Sequence, residues 1–310
     1  MSTLLVSQPN FASHVTPSGH PERADRIRAI EEALSQPRFA GLLRKTAPDG
    51  DINLAELVHA PDYLKRLRAA RPAEGIGRID EDTFISADSL DAVATGIGGA
   101  LLALDSVLLG EAENAFCAIR PPGHHAEIDT PMGFCLVNTI AVVAREAQRK
   151  YGAERVAIVD FDVHHGNGTQ DIFKADPSVL YASSHQMPLY PGTGSRKETG
   201  VGNIINAPLP PDSGTDEMRL AYDGAILQAL EQFSPDLLLI SAGFDADRRD
   251  PLAQLNWGPA DFSWVTSKLL DFAARRCEGR VVSLLEGGYD RNGLADGAAA
   301  HVAALMGAAG

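Results

Sequence analysis

Four short stretches of this 310-residue chain deliver side chains that can do chemistry: His124 and His125, then Asp162 and His164, then Asp245, then Tyr289. The densest is Asp160-Phe161-Asp162-Val163-His164-His165-Gly166-Asn167-Gly168-Thr169, which follows the apolar run 156–159. That run is too short for a helix and rich in β-branched residues, so it reads as a buried strand. Asp160, Asp162 and His164 alternate by two and therefore share one side of the extended chain. Two carboxylates and an imidazole at a strand end make a cage for a borderline divalent cation such as zinc. In open α/β sheets, ligands bind beyond the carboxyl ends of strands.

A lone Asp or His at a strand end is more often a cap than a ligand; the convergence of several strand ends carries the reading. Asp162, His164 and Asp245 supply three metal ligands and leave a position open, the arrangement of a catalytic site. Asp160 and Asn167 are candidates to orient the two adjacent histidines through their far ring nitrogens. Carboxylate against amide would give those imidazoles different basicities. The Tyr289 hydroxyl is a neutral donor suited to a developing oxyanion.

The elements that must position these groups alternate along the chain. Short strands are expected at 3–7, 116–119, 156–159, 179–185, 204–208, 237–241 and 281–285. Helices are expected at 22–34, 54–58, 61–70, 89–109, up to about 150, 216–233 and 261–276, with a small-residue helix closing the chain. Residues 75–86 read as an acidic loop, with Asp80, Glu81 and Asp82 solvated. Arg23, Arg26 and Arg28 are expected on the wet face of the first helix or paired with acidic neighbours. Glycines 96, 98 and 99 suit close packing of the long helix on a sheet. The alternation predicts an α/β fold, a mainly parallel central sheet with helices on both faces. Residues 1–310 are expected to form a single domain.

The apolar fraction of 45% supports a substantial core, and the net charge is −14. That charge argues against binding nucleic acid through its phosphates and is compatible with a cationic partner. Cys117, Cys135 and Cys277 form no paired framework, which fits a reducing cytoplasm. The opening residues 1–6 lack a basic start and a long apolar run, and no segment reads as a membrane span. A homo-oligomer is compatible with the sequence, which does not specify one.

RPPGHHA (120–126), GFC (133–135), DFDVHHGNGTQ (160–170), YPGTG (190–194), SAGFDA (241–246) and EGGYD (286–290) together closely resemble the zinc-dependent histone deacetylase and acetylpolyamine amidohydrolase family. The opening His14-x5-His20-Pro21-Glu22-Arg23 and the span to about residue 305 fit as well. SAGFDA, and Asn167 where class I members carry Asp, resemble the class II-like bacterial members. The resemblance implies the arginase/deacetylase fold and one zinc on Asp162, His164 and Asp245. It implies His125 as base and then acid, His124 as an electrostatic partner tied to Asp160, and Tyr289 as oxyanion donor. Phe134 and Tyr190 would wall an acyl-chain tunnel, with Gly133 lining it and Leu252 at its rim. A structural potassium ion would sit on Asp160, Asp162, His164, Ser183 and Ser184, partly through main-chain carbonyls. A second such site near Phe173, Asp176 and Val179 rests on weaker matching. Asp82, with Asp80 second, matches the loop carboxylate that clamps a bound peptide.

Two departures stand out: Ser184 where many relatives have Leu, and Tyr190 where many have Phe. The related binuclear manganese arginases want a carboxylate where this chain has Gly166, which argues against a second metal. The implied substrate is an acylated lysine on a peptide or protein, or else a small acylated amine such as an acetylpolyamine. A catalytically inactive acyl-lysine reader is the rival of another class. His165 and Cys135 read as structural. His14, His20, His59 and His301 read as ordinary surface or capping residues, and His185 as a core histidine or a buttress of the cation site.

Overall fold

Each central strand carries apolar residues on both faces, as strands do when helices cover a parallel sheet from two sides. The strands are β1 (Thr3–Ser7), β2 (Leu43–Thr46), β3 (Ile76–Arg78), β4 (Phe84–Ser86), β5 (Asn114–Ala118), β6 (Val156–Asp160), β7 (Val179–Gln186), β8 (Ile204–Leu209), β9 (Leu237–Ala242) and β10 (Val281–Leu285). The computed structural model describes residues 2–307; Met1, part of the stretch read for a leader, and residues 308–310 lie outside them. Eight strands form one sheet in the order β2-β1-β5-β10-β9-β6-β7-β8, and every pairing in it is parallel.

The helices are α1 (Asp25–Leu34), α2 (Tyr63–Ala70), α3 (Ser89–Leu108), α4 (Thr139–Tyr151), α5 (Asn167–Phe173), α6 (Thr215–Ala221), α7 (Leu227–Phe233), α8 (Pro259–Arg276) and α9 (Arg291–Leu305). Side-chain alternation sorts them into two layers. Leu5, Phe116, Val159 and Ile240 pack with Ile27 and Ile30 of α1, Leu269 of α8 and Leu294 of α9. Val6, Cys117, Ile158 and Leu239 point the other way, into Leu67 of α2, Ile97 of α3 and Ile140 of α4.

Several expectations need correcting. Residues 75–86 are not all loop: β3 and β4 pair as an antiparallel hairpin, with Ile76 opposite Ser86. Its turn is held by Asp80 Oδ1, which accepts from the backbone nitrogens of Asp82 (3.0 Å) and Thr83 (2.6 Å), while Ile85 is buried. The edge strand β2 has the sequence Leu-Arg-Lys-Thr, which shows no apolar alternation to announce it. The helix expected over 216–233 widens into a π turn at Tyr222–Ile226.

The long helix α3 is long and apolar enough to cross a membrane by length and composition, contrary to the expectation of no such segment, but 72% of that stretch is buried in the fold. Its glycines serve close approach: a Cβ on Gly98 would lie 2.2 Å from the carbonyl oxygen of Pro48. Arg26 is not on a wet face. It is buried, at 1% exposure, and aims its guanidinium at the loop after β10.

Candidate active site

β6 ends at Asp160, yet the alternation persists beyond it. Phe161 and Val163 continue into the core, leaving Asp162 and His164 on the opposite side. β9 runs beside β6 in a register that pairs Asp160 with Ser241, so the segment leaving β9 carries Asp245 to Asp162. His164 Nδ1 lies 3.2 Å from Asp162 Oδ1 and 3.1 Å from Asp245 Oδ2. The ligand atoms of all three residues fall within 4.8 Å of one another, and all three side chains are buried.

The remaining carboxylate oxygens are held by the backbone. Asp162 Oδ2 accepts from the nitrogen of Gly287 at 2.7 Å, and Asp245 Oδ1 from that of Val163 at 2.9 Å. A Cβ on Gly243 would lie 2.0 Å from Asp162 Oδ2, and one on Gly287 2.1 Å from Asp245 Oδ2. Burial and the charge of Asp162 push the Asp245 carboxyl up to about 7. The carboxylates of His164's partners overcome its burial and push its imidazole up to about 10. Two buried carboxylates and one imidazole packed this closely are a donor set that a divalent cation neutralises, so the residues fit a metal.

The two adjacent histidines enter from the turn after β5. Its backbone is held by Glu286 Oε2, which accepts from the nitrogens of Gly123 (2.6 Å) and His124 (3.1 Å). His124 Nδ1 lies 3.0 Å from Asp160 Oδ2, which also accepts from the Tyr181 hydroxyl at 2.9 Å. His125 Nδ1 lies 2.7 Å from Asn167 Oδ1. Burial alone would depress both imidazoles. Asp162 and Asp160 overcome it at His124 and push that ring up to about 10. Burial and the neighbouring imidazoles hold His125 well below its usual value.

A cavity of about 200 Å³ is lined by Asp82, His125, Gly133, Phe134, His164, Leu189, Tyr190, Leu252 and Tyr289. The structure thus gathers every residue assigned to the tunnel and its rim, and adds Leu189. Phe134 stands edge-on to Tyr289 with ring centroids 5.6 Å apart, and His125 edge-on to Tyr190 at 5.3 Å. Tyr190 is 39% exposed, which puts it at the mouth. Burial raises the Tyr289 hydroxyl well above its usual range and keeps it a donor. Phe134 sits at φ +67°, its nitrogen donating at 3.1 Å to Thr83 Oγ1, which in turn donates to Asp82 Oδ1 at 3.2 Å. Burial and neighbouring Asp80 raise the Asp82 carboxyl.

Several residues of this region escaped the reading of the sequence. Arg26 donates to the carbonyls of Gly288 (2.6 Å) and Glu286 (2.5 Å), bracing the turn that carries Tyr289. Asp250 Oδ2 accepts from the nitrogen of Tyr289 at 2.7 Å and its Oδ1 from that of Leu252 at 2.9 Å. Buried Glu22 receives a two-pronged contact from Arg120, Nε at 2.8 Å and Nη2 at 2.7 Å. Nothing in local periodicity marks such residues, because their partners are up to 262 positions away. The histidines need correction too: His14, His59 and His301 are buried. His20 packs 4.6 Å from the Phe134 ring and donates from Nε2 to the Asp82 carbonyl at 3.0 Å. His165 lies between Thr193 Oγ1 (2.7 Å) and Gln170 Oε1 (3.1 Å), turned away from the Asp–His–Asp cluster.

β6 and β7 bring the residues expected around a monovalent cation to one strand end, with Asp160 opposite Ser183. His185 Nε2 must donate to the Gly194 carbonyl at 2.9 Å, so its Nδ1 accepts from Ser183 Oγ at 2.9 Å and orients that hydroxyl. Ser184 Oγ lies 3.2 Å from the Tyr222 hydroxyl. The residues matched to the weaker second site lie around one side chain, Asn203. The carbonyls of Phe173, Asp176 and Val179 lie 2.7, 2.9 and 2.8 Å from Asn203 Nδ2 and share its two hydrogens.

A parallel sheet wrapped by helices, with an Asp–His–Asp cluster under a His–His–Tyr-lined cavity, is the architecture of the arginase/deacetylase fold. Residues 20–305 match the family model of the histone deacetylase domain, and the chain belongs to that family of hydrolases. It is 39% identical to the histone deacetylase-like amidohydrolase of Pseudomonas aeruginosa, over 88% of this chain and 73% of that one. It is 37% identical to a probable deacetylase of Archaeoglobus fulgidus, over 94% and 83% of the two chains. The crystal structure of the HDA15 HD domain superposes with a TM-score of 0.92 at 35% identity, covering 99% of this chain and 89% of that one.

Proposed function

We propose that this protein is a zinc-dependent amidohydrolase that removes acetyl or other acyl groups from lysine-like amines, acting as a single deacetylase domain with one zinc per chain. The observation that carries this reading is the buried Asp162, His164 and Asp245 cluster reaching a cavity that His125 and Tyr289 also line. A divalent cation held by those three residues would supply Lewis-acid polarisation and lower the pKa of a water.

The chain's own residues do the rest. His125, uncharged, accepts the proton of the attacking water and later delivers it to the leaving amine. His124, hydrogen-bonded to Asp160 at 3.0 Å, is the electrostatic partner at the same spot. The Tyr289 hydroxyl donates to the oxyanion that develops on the former carbonyl oxygen. Phe134 and Tyr190 flank the acyl chain, Gly133 leaves room beside it, and Leu252 sits at the rim. Asp160, Asp162, His164, Ser183 and Ser184 are the residues that would hold a structural potassium ion. The partner is an acylated lysine on a peptide or protein, met in the cytoplasm, without nucleic acid or membrane.

A second reading, a small acylated amine such as an acetylpolyamine, is favoured by Asp82, whose carboxylate lines the same cavity beside Asp80. One panel decides between them: zinc content of the purified protein, then turnover of acetyl-lysine peptides against acetylputrescine and acetylspermidine. Peptide turnover with bound zinc is the expected result. Exclusive turnover of the polyamines would select the second reading, and zinc without hydrolysis of any acyl amide would overturn both.

A further inference from the structure

Glu127 follows the two adjacent histidines by two residues, and its Oε1 accepts from Asn167 Nδ2 at 2.7 Å. The same nitrogen also points at Met132 Sδ, 3.3 Å away. On the other side of the amide, Asn167 Oδ1 lies 2.7 Å from His125 Nδ1. A carboxylate and a thioether sulfur offer no hydrogen, so the amide nitrogen must face them and the amide oxygen must face the imidazole. That oxygen can only accept. The proton of a neutral His125 ring therefore sits on Nδ1, and the lone pair falls on Nε2. Turning the amide over would set its oxygen against the Glu127 carboxylate and its NH₂ against Nδ1. The proton would then move to Nε2 and the ring would lose its free basic nitrogen.

We infer that Glu127 is a positioning residue which, through Asn167, holds His125 in the tautomer able to accept a proton. It acts through its neighbours and is not among the residues lining the cavity. The same contact explains why an amide suits position 167 in this chain. An Asp there would set two carboxylates against each other at the 2.7 Å now spanned by a hydrogen bond. The inference rests on the proposed role of His125 as base.

The test uses the zinc-loaded protein with ¹⁵N-labelled histidine, in which the two neutral tautomers give different imidazole nitrogen shifts. The wild type is expected to show His125 protonated on Nδ1. In Glu127→Gln the new amide can accept or donate, so the Nε2-protonated form gains population. kcat falls about tenfold, the scale of one charge-assisted hydrogen bond, while KM changes by less than about twofold. The reciprocal pair supplies a second arm. Asn167→Asp beside Glu127 loses more than about tenfold in kcat/KM, and Glu127→Gln with Asn167→Asp recovers most of that loss by restoring a donor opposite an acceptor. An unchanged tautomer with unchanged kcat in Glu127→Gln, or equal losses from Asn167→Asp in both backgrounds, overturns the inference. The nitrogen shifts are read without turnover. A protein that hydrolyses no acyl amide would therefore remove the proposed function, while the tautomer would still decide the role of Glu127.

Discussion

The guanidinium carbon of Arg26 lies 4.9 Å from the centroid of the Tyr289 ring, and the same side chain donates to the carbonyls on either side of Gly287. A buried cation thus spans from α1 to the loop after β10 and sets the proposed oxyanion donor in place. Replacing it with Met keeps the stem but leaves two buried carbonyls without a donor. Each lost partner costs about 1–3 kcal/mol. Arg26→Met is expected to lower unfolding free energy by that order and to lower kcat, with KM less affected. Denaturant titration and steady-state kinetics on one preparation check it.

Tyr289→Phe tests the donor itself. Fold and zinc content should be unchanged, because the hydroxyl makes no hydrogen bond to the metal ligands. kcat should fall by on the order of 10²–10³, the usual loss for one oxyanion donor. Near wild-type turnover on the same acyl amide would remove Tyr289 from the reaction.

Gly287→Ala addresses the metal cluster without replacing a ligand. The added Cβ would lie 2.1 Å from Asp245 Oδ2 and 2.5 Å from Asp162 Oδ2, so one or both carboxylates must move. Loss of zinc, read by elemental analysis, is the expected outcome, with activity lost in step. Full zinc occupancy would contradict the assignment of those carboxylates.

Asp82→Asn separates the two substrate readings. If the carboxylate clamps a peptide backbone, KM for acetyl-lysine peptides rises, since an amide oxygen is a weaker acceptor than a charged one. If it attracts a distant ammonium, the loss falls on acetylpolyamines and shrinks with added salt, because exposed charge pairs are screened. Comparing kcat/KM on both substrates at two salt concentrations distinguishes them.

A pH dependence of stability follows from His301. The ring is fully buried between Thr266 Oγ1 (2.7 Å) and Ser283 Oγ (2.9 Å), and burial pushes it down to about 3. It is neutral when folded and titrates near 6.5 when unfolded, so the unfolded chain binds more protons at acid pH. Its contribution is intact above pH ~6.5 and lost as pH falls towards ~3, at about 1.4 kcal/mol per unit. Unfolding free energies from pH 7 to 5 should decline, and the decline should be shallower in His301→Gln.

Much of this was legible before any coordinates. The alternation of strands and helices announced the parallel sheet, since apolar periodicity is a local property written in consecutive residues. The meeting of Asp162, His164 and Asp245 was legible too, because their types recur at the ends of strands that a parallel sheet brings together. Segments whose order comes from elsewhere were not. The edge strand β2 is polar and exists through its pairing with β1, and the hairpin β3–β4 is closed by an Asp80 turn inside what read as an acidic loop.

Tertiary structure alone decided what the buried charges do. Arg26 was expected on a wet face or paired with an acidic neighbour; it does pair with Glu22 at 3.4 Å, but its burial is completed by carbonyls of the loop after β10, up to 262 positions away. Glu286, Asp250 and Glu127 likewise work through contacts with distant backbone or with an amide in another element. A sequence reports which groups are present and which side of an element they share. Which proton sits on which nitrogen depends on a chain of donors and acceptors, and that chain closes only when the strands bring its members within hydrogen-bond reach.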